Sequence, residues 1–170
     1  MDESRTSASM TVLMTPDMAN FSGNVHGGTI LKLLDQVAYV CASRYASSYV
    51  VTMSVDQVTF QEPIHVGELV TFHATVNYTG RTSMEIGIRV VAEDIRSKSI
   101  RTTNRCYFTM VAVDPSGKPV AVPPKHLVTD DDRERFEAAK QRRELRREME
   151  ARLAAIRATY AATAESRALP

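Results

Sequence analysis

A single carboxylate lies in the middle of an apolar stretch of helical length. Residues 29–45 are mostly aliphatic, and Asp35 stands among them with Lys32 and Gln36 as polar neighbours. Burying a carboxylate is costly unless it is paired or used in chemistry. Asp35 is therefore our main candidate for a catalytic general base. The alternative is a structural role, either in an ion pair with Lys32 or in a polar contact at a subunit interface.

Two glycines stand at the start of the same stretch, directly after Asn24-Val25-His26. A helix N-terminus offers free backbone N–H groups and the positive end of the helix dipole, and glycine lets a ligand approach closely. The pattern predicts an acyl-transfer site. In that site the N–H groups of Gly27 and Gly28 hold a carbonyl oxygen, and Asp35, about two helical turns further on, activates water.

The helix that carries these residues must be covered by other parts of the structure. Its apolar side chains occupy nearly every face, which predicts that it is buried. Four segments combine β-branched and aromatic residues with period-two alternation, and turn-forming sequences connect them, so we expect an antiparallel meander. The predicted strands are 50–60, 69–79, 84–92 and 99–113, with a further short strand at 10–14. The predicted fold class is α+β, with an antiparallel sheet curved around one central helix.

A charged helix follows the strand-rich part of the chain. Pro123-Pro124 separates the two, so we expect one domain at 1–124 and a helical extension at 125–170. Thr129 and Asp132 form a capping-box pattern at the start of this helix. An apolar stripe then favours either a coiled-coil seam or packing on another surface, and a solvated helix that contacts only its own subunit is the alternative. The stripe consists of Leu145, Met149, Leu153, Ile156 and Tyr160.

Composition excludes several function classes. The chain has 170 residues, 44% of them hydrophobic, and its 21 Lys and Arg balance 20 Asp and Glu. A near-neutral protein has no long-range field to hold nucleic acid or a membrane surface, so neither is an expected partner. The N-terminal sequence MDESRTSASMTVLMTPD carries early acidic residues and is not expected to be a signal peptide. No stretch reaches the roughly 18 apolar residues of a membrane span, so the cytoplasm is the expected compartment.

Cysteine and histidine show no metal-binding or redox pattern. Cys41 and Cys106 are far apart in sequence and are expected to be free thiols. His65, His73 and His126 lack the spacing of metal ligands, and no metal site is predicted.

Three segments of the chain stand in order and at compatible spacing. They are NFSGNVHGGTILKLLD at 20–35, SVDQVTF at 54–60 and GRTSME at 80–85. Together they resemble the acyl-CoA thioesterases of the hotdog fold, and the most similar subgroup contains the YciA-type bacterial and brain-type mammalian acyl-CoA hydrolases. The similarity runs from about residue 11 to residue 124, and the C-terminal helix lies outside it.

The resemblance implies hydrolysis of an acyl-CoA thioester to a free acid and CoA, as in fatty acid metabolism. It implies a dimer with active sites at the subunit interface, assembled as a trimer of dimers, and it implies no metal or bound cofactor. The residue at Asp35 would act as base or nucleophile, Asn20 would orient the reacting groups, and backbone N–H groups of Gly27 and Gly28 would polarise the carbonyl. Candidate contacts to the substrate or its CoA part are Arg81, Thr82, Ser83, His26 and Asn24, although His26 and Asn24 could instead brace the loop.

Two other functions remain as alternatives. The hydratase branch of the hotdog superfamily shares an Asn-x-His near the helix start, but it places an aspartate just before that motif. Here residues 22–26 contain none and Asp17 lies too far back, which weakens the hydratase interpretation. The second alternative is a hotdog protein that binds an acyl ligand without turnover, as a sensor or scaffold.

Overall fold

The computed structural model describes the backbone of residues 5–167 and the side chains of residues 5–160. The N-terminal sequence, which we do not expect to be a signal peptide, therefore begins outside the described residues. The chain divides into two compact units, residues 1–126 and residues 127–170. None of the helices among the described residues is long and apolar enough to cross a membrane.

The first unit contains one long helix and five strands. The predicted elements are confirmed, with small changes at their ends, except that the second strand is shorter than expected. The elements are β1 (Ser7–Leu13), a short 3-10 turn (Pro16–Met18), α1 (Gly27–Ala46), β2 (Tyr49–Val55), β3 (Leu69–Thr79), β4 (Ser83–Asp94) and β5 (Ser99–Val113).

The five strands form one antiparallel sheet in the order β1-β3-β4-β5-β2. The expected meander holds for β3, β4 and β5, but the prediction is wrong for β2, which pairs with β5 at the far edge. The position of β2 follows from the path of α1. Because α1 crosses the sheet and the chain turns back at Ser47, in the left-handed conformation with φ 52°, β2 enters on the edge opposite β1.

The prediction of a strand to Phe60 is also wrong. Val55 is the last residue of β2 and pairs with Phe108. After Asp56 the chain leaves β5, although apolar and polar residues still alternate. Phe60 turns instead toward the start of α1. Its ring lies 3.6 Å from the position that a Cβ atom would occupy if Gly27 had a side chain. The loop between β2 and β3 therefore forms part of the surroundings of the helix N-terminus.

The hydrophobic core lies between one face of α1 and the concave face of the sheet. The prediction that α1 is buried all round is wrong within one chain, because the sheet covers one side of the helix only. Leu31, Tyr39 and Val40 are exposed on the other side. The buried residues of the helix are Ile30, Leu34, Val37, Ala38, Cys41, Ala42 and Tyr45.

The second unit contains α2 (Asp130–Arg167). The predicted capping box is confirmed. The Asp132 N–H donates to Thr129 Oγ1 at 3.1 Å, and the Thr129 N–H donates to Asp132 Oδ2 at 3.3 Å. Three aspartates in the first turn place negative charge at the positive end of the helix dipole.

Candidate active site

Asp35 lies midway along α1, on the exposed side of the helix, next to β2. Thr52 of β2 donates a hydrogen bond from Oγ1 to Asp35 Oδ1 at 2.6 Å. Within the described residues no ion pair joins Asp35 to Lys32, so the structure does not support that alternative. The hydroxyl of Thr52 orients the carboxylate and leaves Oδ2 for water or substrate.

Sequence reasoning missed Thr52. It stands in β2 just before a register shift between Thr52 and Ser54, and β-branched residues are ordinary in strands. The contact with Asp35 depends on β2 lying at the edge of the sheet beside α1, which the alternation of side chains does not reveal. No local signal could have found it.

The turn at the start of α1 is organised by His26. His26 is the N-cap residue, and its Nδ1 accepts a hydrogen bond from the Gly28 N–H at 2.9 Å. The expectation that both glycine N–H groups are free is therefore corrected, because the cap already uses that of Gly28. Within residues 5–160 the Gly27 N–H has no acceptor. The structure leaves Gly27 as the donor that can meet a carbonyl oxygen.

Asn20 braces the loop that leads to this turn. Its Oδ1 accepts hydrogen bonds from the Ser22 N–H at 2.9 Å and the Asn24 N–H at 3.2 Å. Because both partners are N–H donors, the amide atom of Asn20 that faces them must be the oxygen and not the nitrogen. The Asn20 amide Nδ2 has no partner among the described residues, so it can still donate to a reacting group. Bracing and orienting are thus both possible for this one side chain.

Asn24 is fixed from the loop between β2 and β3. Its Oδ1 lies 2.9 Å from His65 Nδ1, in the hydrogen-bond geometry expected when the imidazole donates. The backbone continues the link, because the Asn20 N–H donates to the Asn24 carbonyl at 2.7 Å. This arrangement favours the bracing role for Asn24 and gives His65 a structural role that its sequence position did not indicate.

An ion pair between the buried Glu68 and the partly exposed Arg101 holds His65 in place. Glu68, only 6% exposed, accepts hydrogen bonds from Arg101 at 2.6 and 2.8 Å and from the His65 N–H at 2.8 Å. Burial raises the pKa of the Glu68 carboxyl, but the hydrogen bonds from Arg101 and His65 and the Arg101 charge outweigh it and hold that pKa below 4.5. Arg101 also contacts the exposed Glu62.

Replacing Glu68 with glutamine should lower the free energy of unfolding by about 1–3 kcal/mol at neutral pH, because it removes the charge from these hydrogen bonds. A lowered folded-state pKa stabilises the protein above pH 4.5 and loses that contribution as the pH falls through the folded value. The difference between variant and wild type should therefore shrink in acid. Urea unfolding at fixed protein concentration, from pH 7 to pH 3, measures it. Glu62→Gln, at the exposed partner of the same arginine, is the matched control and should change little.

The other predicted contacts lie at the opposite end of α1. Arg81 and Thr82 lie in the turn between β3 and β4, and Ser83 is the first residue of β4. The Thr82 carbonyl accepts from the Ala112 N–H at 3.0 Å, and Ala112 pairs with Val50, just after the helix ends. Arg81 is exposed and has no acidic partner within the described part of the chain.

One chain therefore does not bring the predicted site residues together. Asp35 follows Gly27 by eight positions in the same helix, which separates them by about 12 Å along its axis. The whole helix, about 30 Å long, lies between the Gly27 turn and the Arg81 turn. A carboxylate and a donor that act on one carbonyl group must both lie within hydrogen-bond reach of it. A single copy does not satisfy this condition.

Neither cysteine is a reactive nucleophile. Burial raises the pKa of both Cys41 and Cys106 from 9.0 to about 12. At neutral pH both are thiols enclosed in the core. Among the described residues no group of three or more His, Cys, Asp or Glu side chains is placed to hold a metal ion.

Comparison with known proteins gives the family. Residues 22–99 match the model of the thioesterase superfamily. The chain is 51% identical over 142 residues to protein VdlD of Helicobacter pylori, covering 84% of this chain and 81% of that protein. It also superposes on the crystal structure of an apo-hexameric acyl-CoA thioesterase with a TM-score of 0.84 and 36% identity, over 87% of this chain and 95% of the other. The chain belongs to the thioesterase superfamily. Its sheet around a helix is the hotdog fold that the sequence resemblance implies.

One relative of this thioesterase has been solved with ligands. The acyl-CoA hydrolase of Staphylococcus aureus, in complex with butyryl coenzyme A and coenzyme A, is 30% identical, with a TM-score of 0.80 over 89% of this chain and 93% of the other. Three further structures of that hydrolase carry alanine in place of an asparagine, an aspartate and a threonine. The intervals between those positions equal the intervals between Asn20, Asp35 and Thr52 here.

Proposed function

We propose that this thioesterase hydrolyses acyl-CoA thioesters to a free carboxylic acid and CoA, at sites built from two copies of the chain. The observation that carries the reaction is the Asp35 carboxylate, oriented by Thr52 and open to solvent, in a member of the thioesterase superfamily. The names of its relatives, an acyl-CoA thioesterase and an acyl-CoA hydrolase, support acyl-CoA as the substrate. The unpaired thiols are consistent with a cytoplasmic enzyme.

Within residues 5–167, β2 pairs with β5 on one side only, and its open edge supports a dimer. Tyr49, Met53 and Val55 of this strand are exposed, and so are Tyr39 and Val40 of α1 beside it. An open strand edge flanked by apolar side chains is a surface that a second copy can cover, and a two-fold axis there adds β2 to β2 antiparallel. Such an axis also sets the two α1 helices antiparallel. We further propose three such dimers per assembly, because one relative is hexameric.

The antiparallel arrangement resolves the separation within one chain. In the proposed site, Asp35 and Thr52 of one copy act on a thioester whose carbonyl oxygen meets the Gly27 N–H of the other copy. Asn20 lies on the loop that leads to Gly27 and supplies a second donor from Nδ2. The Arg81 turn of one copy then approaches the Gly27 turn of its partner, where the phosphates of CoA would lie.

The residues can carry the reaction without a bound cofactor. Asp35 accepts a proton from water, the water oxygen attacks the thioester carbon, and the resulting oxyanion is held by the Gly27 N–H and the Asn20 amide. When the intermediate collapses, the C–S bond breaks and the CoA thiolate takes the proton back from Asp35. Direct attack by Asp35 would give the same products through an anhydride. Single turnover in heavy-oxygen water tests the anhydride path. When water attacks the Asp35 carbonyl of the anhydride, Asp35 gains the label and the released acid carries an unlabelled oxygen from Asp35, whereas direct attack of water on the thioester labels only the released acid.

Thiol release from acyl-CoAs of increasing chain length tests the function directly. Cys41 and Cys106 should contribute no background to a thiol reagent, because both are buried. Release of one thiol per acyl-CoA consumed is the expected result, and the preferred chain length follows from the panel. Tight binding of acyl-CoA without thiol release would contradict hydrolysis and support the scaffold alternative. Consumption of an enoyl-CoA without thiol release would support the hydratase.

Complementation between two inactive variants tests the shared site. Asp35→Asn removes the base and Gly27→Ala obstructs the donor, so neither variant has an intact site alone. A mixed dimer has one site with both defects and one site with neither. Refolding an equal mixture makes half of the dimers mixed, so activity should recover to about a quarter of the wild-type value. No recovery, with mixed dimers demonstrated by two affinity tags, would contradict the shared site.

Arg81→Ala should raise KM for acyl-CoA about three- to tenfold and change kcat little. The reason is that a phosphate contact far from the carbonyl binds ground state and transition state alike. Added salt should reduce the effect, since Arg81 is exposed. Arg96→Ala, at an exposed arginine after β4, is the matched control. An unchanged KM at low ionic strength would exclude Arg81 from the CoA site.

A further inference from the structure

The second half of α2 exposes a continuous apolar stripe. Its five large side chains are between 42% and 73% exposed and follow one another at intervals of three or four residues, which places them on one side of the helix over about 22 Å. Isolated helices are marginal in water, and an apolar stripe of this length is unfavourable when left in solvent. The stripe consists of Leu145, Met149, Leu153, Ile156 and Tyr160.

We propose that this stripe is the contact surface between the α2 helices of two copies of the chain, packed antiparallel. Met149, Leu153, Ile156 and Tyr160 are separated by four, three and four residues, which is the alternation of seam positions in a coiled coil. Antiparallel packing places Leu153 against Ile156 of the partner subunit, and Met149 against Tyr160 of the partner subunit. The proposal does not depend on the chemistry of the active site.

Two charges beside the seam select a second copy as the occupant. Many charged residues of α2 form ion pairs within the helix, such as Arg133 with Asp130 and Lys140 with Glu137. Glu150 and Arg157 flank the seam on the same side, seven residues apart, and neither has a partner among the described residues. Each is therefore available to a neighbouring helix.

The signs of these charges also fix the direction. In an antiparallel pair, Glu150 faces Arg157 of the partner subunit, and the two-fold axis repeats the contact, so two complementary pairs form. In a parallel pair, Arg152 would face Arg157 of the partner subunit, which brings like charges together twice. The helix is thus complementary to an inverted copy of itself.

Cysteine cross-linking in the full-length protein tests the pairing, because the two natural cysteines are buried. Met149→Cys and Tyr160→Cys chains with different tags are co-expressed and oxidised with copper phenanthroline. A disulfide between the two kinds of chain is expected. A disulfide between two Met149→Cys chains would show parallel packing and overturn the proposal. So would the absence of any cross-link while activity and helicity are unchanged. Arg147→Cys, on the opposite side of the helix, is the control and should not cross-link.

A charge reversal then tests the orientation by its energetics. Adding Glu150→Arg to the Met149→Cys chain should lower the cross-linking yield about two- to fivefold, because one complementary pair becomes repulsive. Adding Arg157→Glu to the Tyr160→Cys chain as well should restore the yield. Glu144→Arg lies away from the seam and is the matched control. Failure of the second change to restore the yield would contradict the proposed pairing of Glu150 with Arg157.

Discussion

Replacing Asp35 with asparagine should lower kcat for acyl-CoA hydrolysis by about 10²-fold or more while CoA still binds. Asparagine has the same size, and its amide oxygen can still accept the hydrogen bond that Thr52 donates at 2.6 Å. What it cannot do is take a proton from water or attack the thioester. Thiol release under saturating acyl-CoA measures kcat, and calorimetric titration with CoA measures binding.

The stability of the Asp35→Asn variant separates catalysis from structure. Asp35 lies on the exposed side of α1, so the variant should unfold at nearly the same temperature as wild type. Lys32→Met is the matched control one turn earlier on the helix and should leave kcat unchanged. An Asp35→Asn enzyme that unfolds earlier but hydrolyses acyl-CoA at a rate near that of wild type would show that the carboxylate is structural.

The fold could be predicted where the signal is local. The limits of β3 and β5 follow directly from alternation of side chains, and the start of α2 follows from its capping box. The position of β2 could not be predicted, because a strand with ordinary alternation can join either edge of a sheet. That edge is decided by how α1 crosses the sheet and by the turn at Ser47.

The candidate site could be predicted only in part for the same reason. Asp35 is conspicuous because a carboxylate in an apolar helix is unusual, and Gly27 because it precedes that helix. Thr52 and His65 act through contacts with residues far away in the sequence, and nothing in their own neighbourhoods distinguishes them. Gly28 shows an error of the opposite kind, because here a local contact was overlooked. The sequence pattern treated the Gly28 N–H as free, but it donates to the side chain of His26, which caps the helix.

Gly27→Ala should lower kcat/KM for acyl-CoA by about 10²-fold without destabilising the fold. In the proposed site the carbonyl oxygen must come close to the Gly27 N–H, and a methyl group on that residue fills part of the space. Loss of one oxyanion donor typically costs 10²–10³ in rate. The protein itself tolerates the methyl group, because a Cβ there would lie 3.6 Å from the Phe60 ring, an ordinary contact.

Gly28→Ala provides the contrast for this prediction. A Cβ at Gly28 would lie 3.1 Å from His26 Nδ1, so it presses on the helix cap, and this variant should unfold at a lower temperature. Gly27→Ala should keep the wild-type unfolding temperature, since alanine also favours the helix more than glycine does. Thermal unfolding and thiol release on both variants therefore separate a ligand clash from a structural one. If Gly27→Ala hydrolyses acyl-CoA as fast as wild type, the carbonyl does not approach this turn, and the oxyanion must be held by Asn20 or by another group.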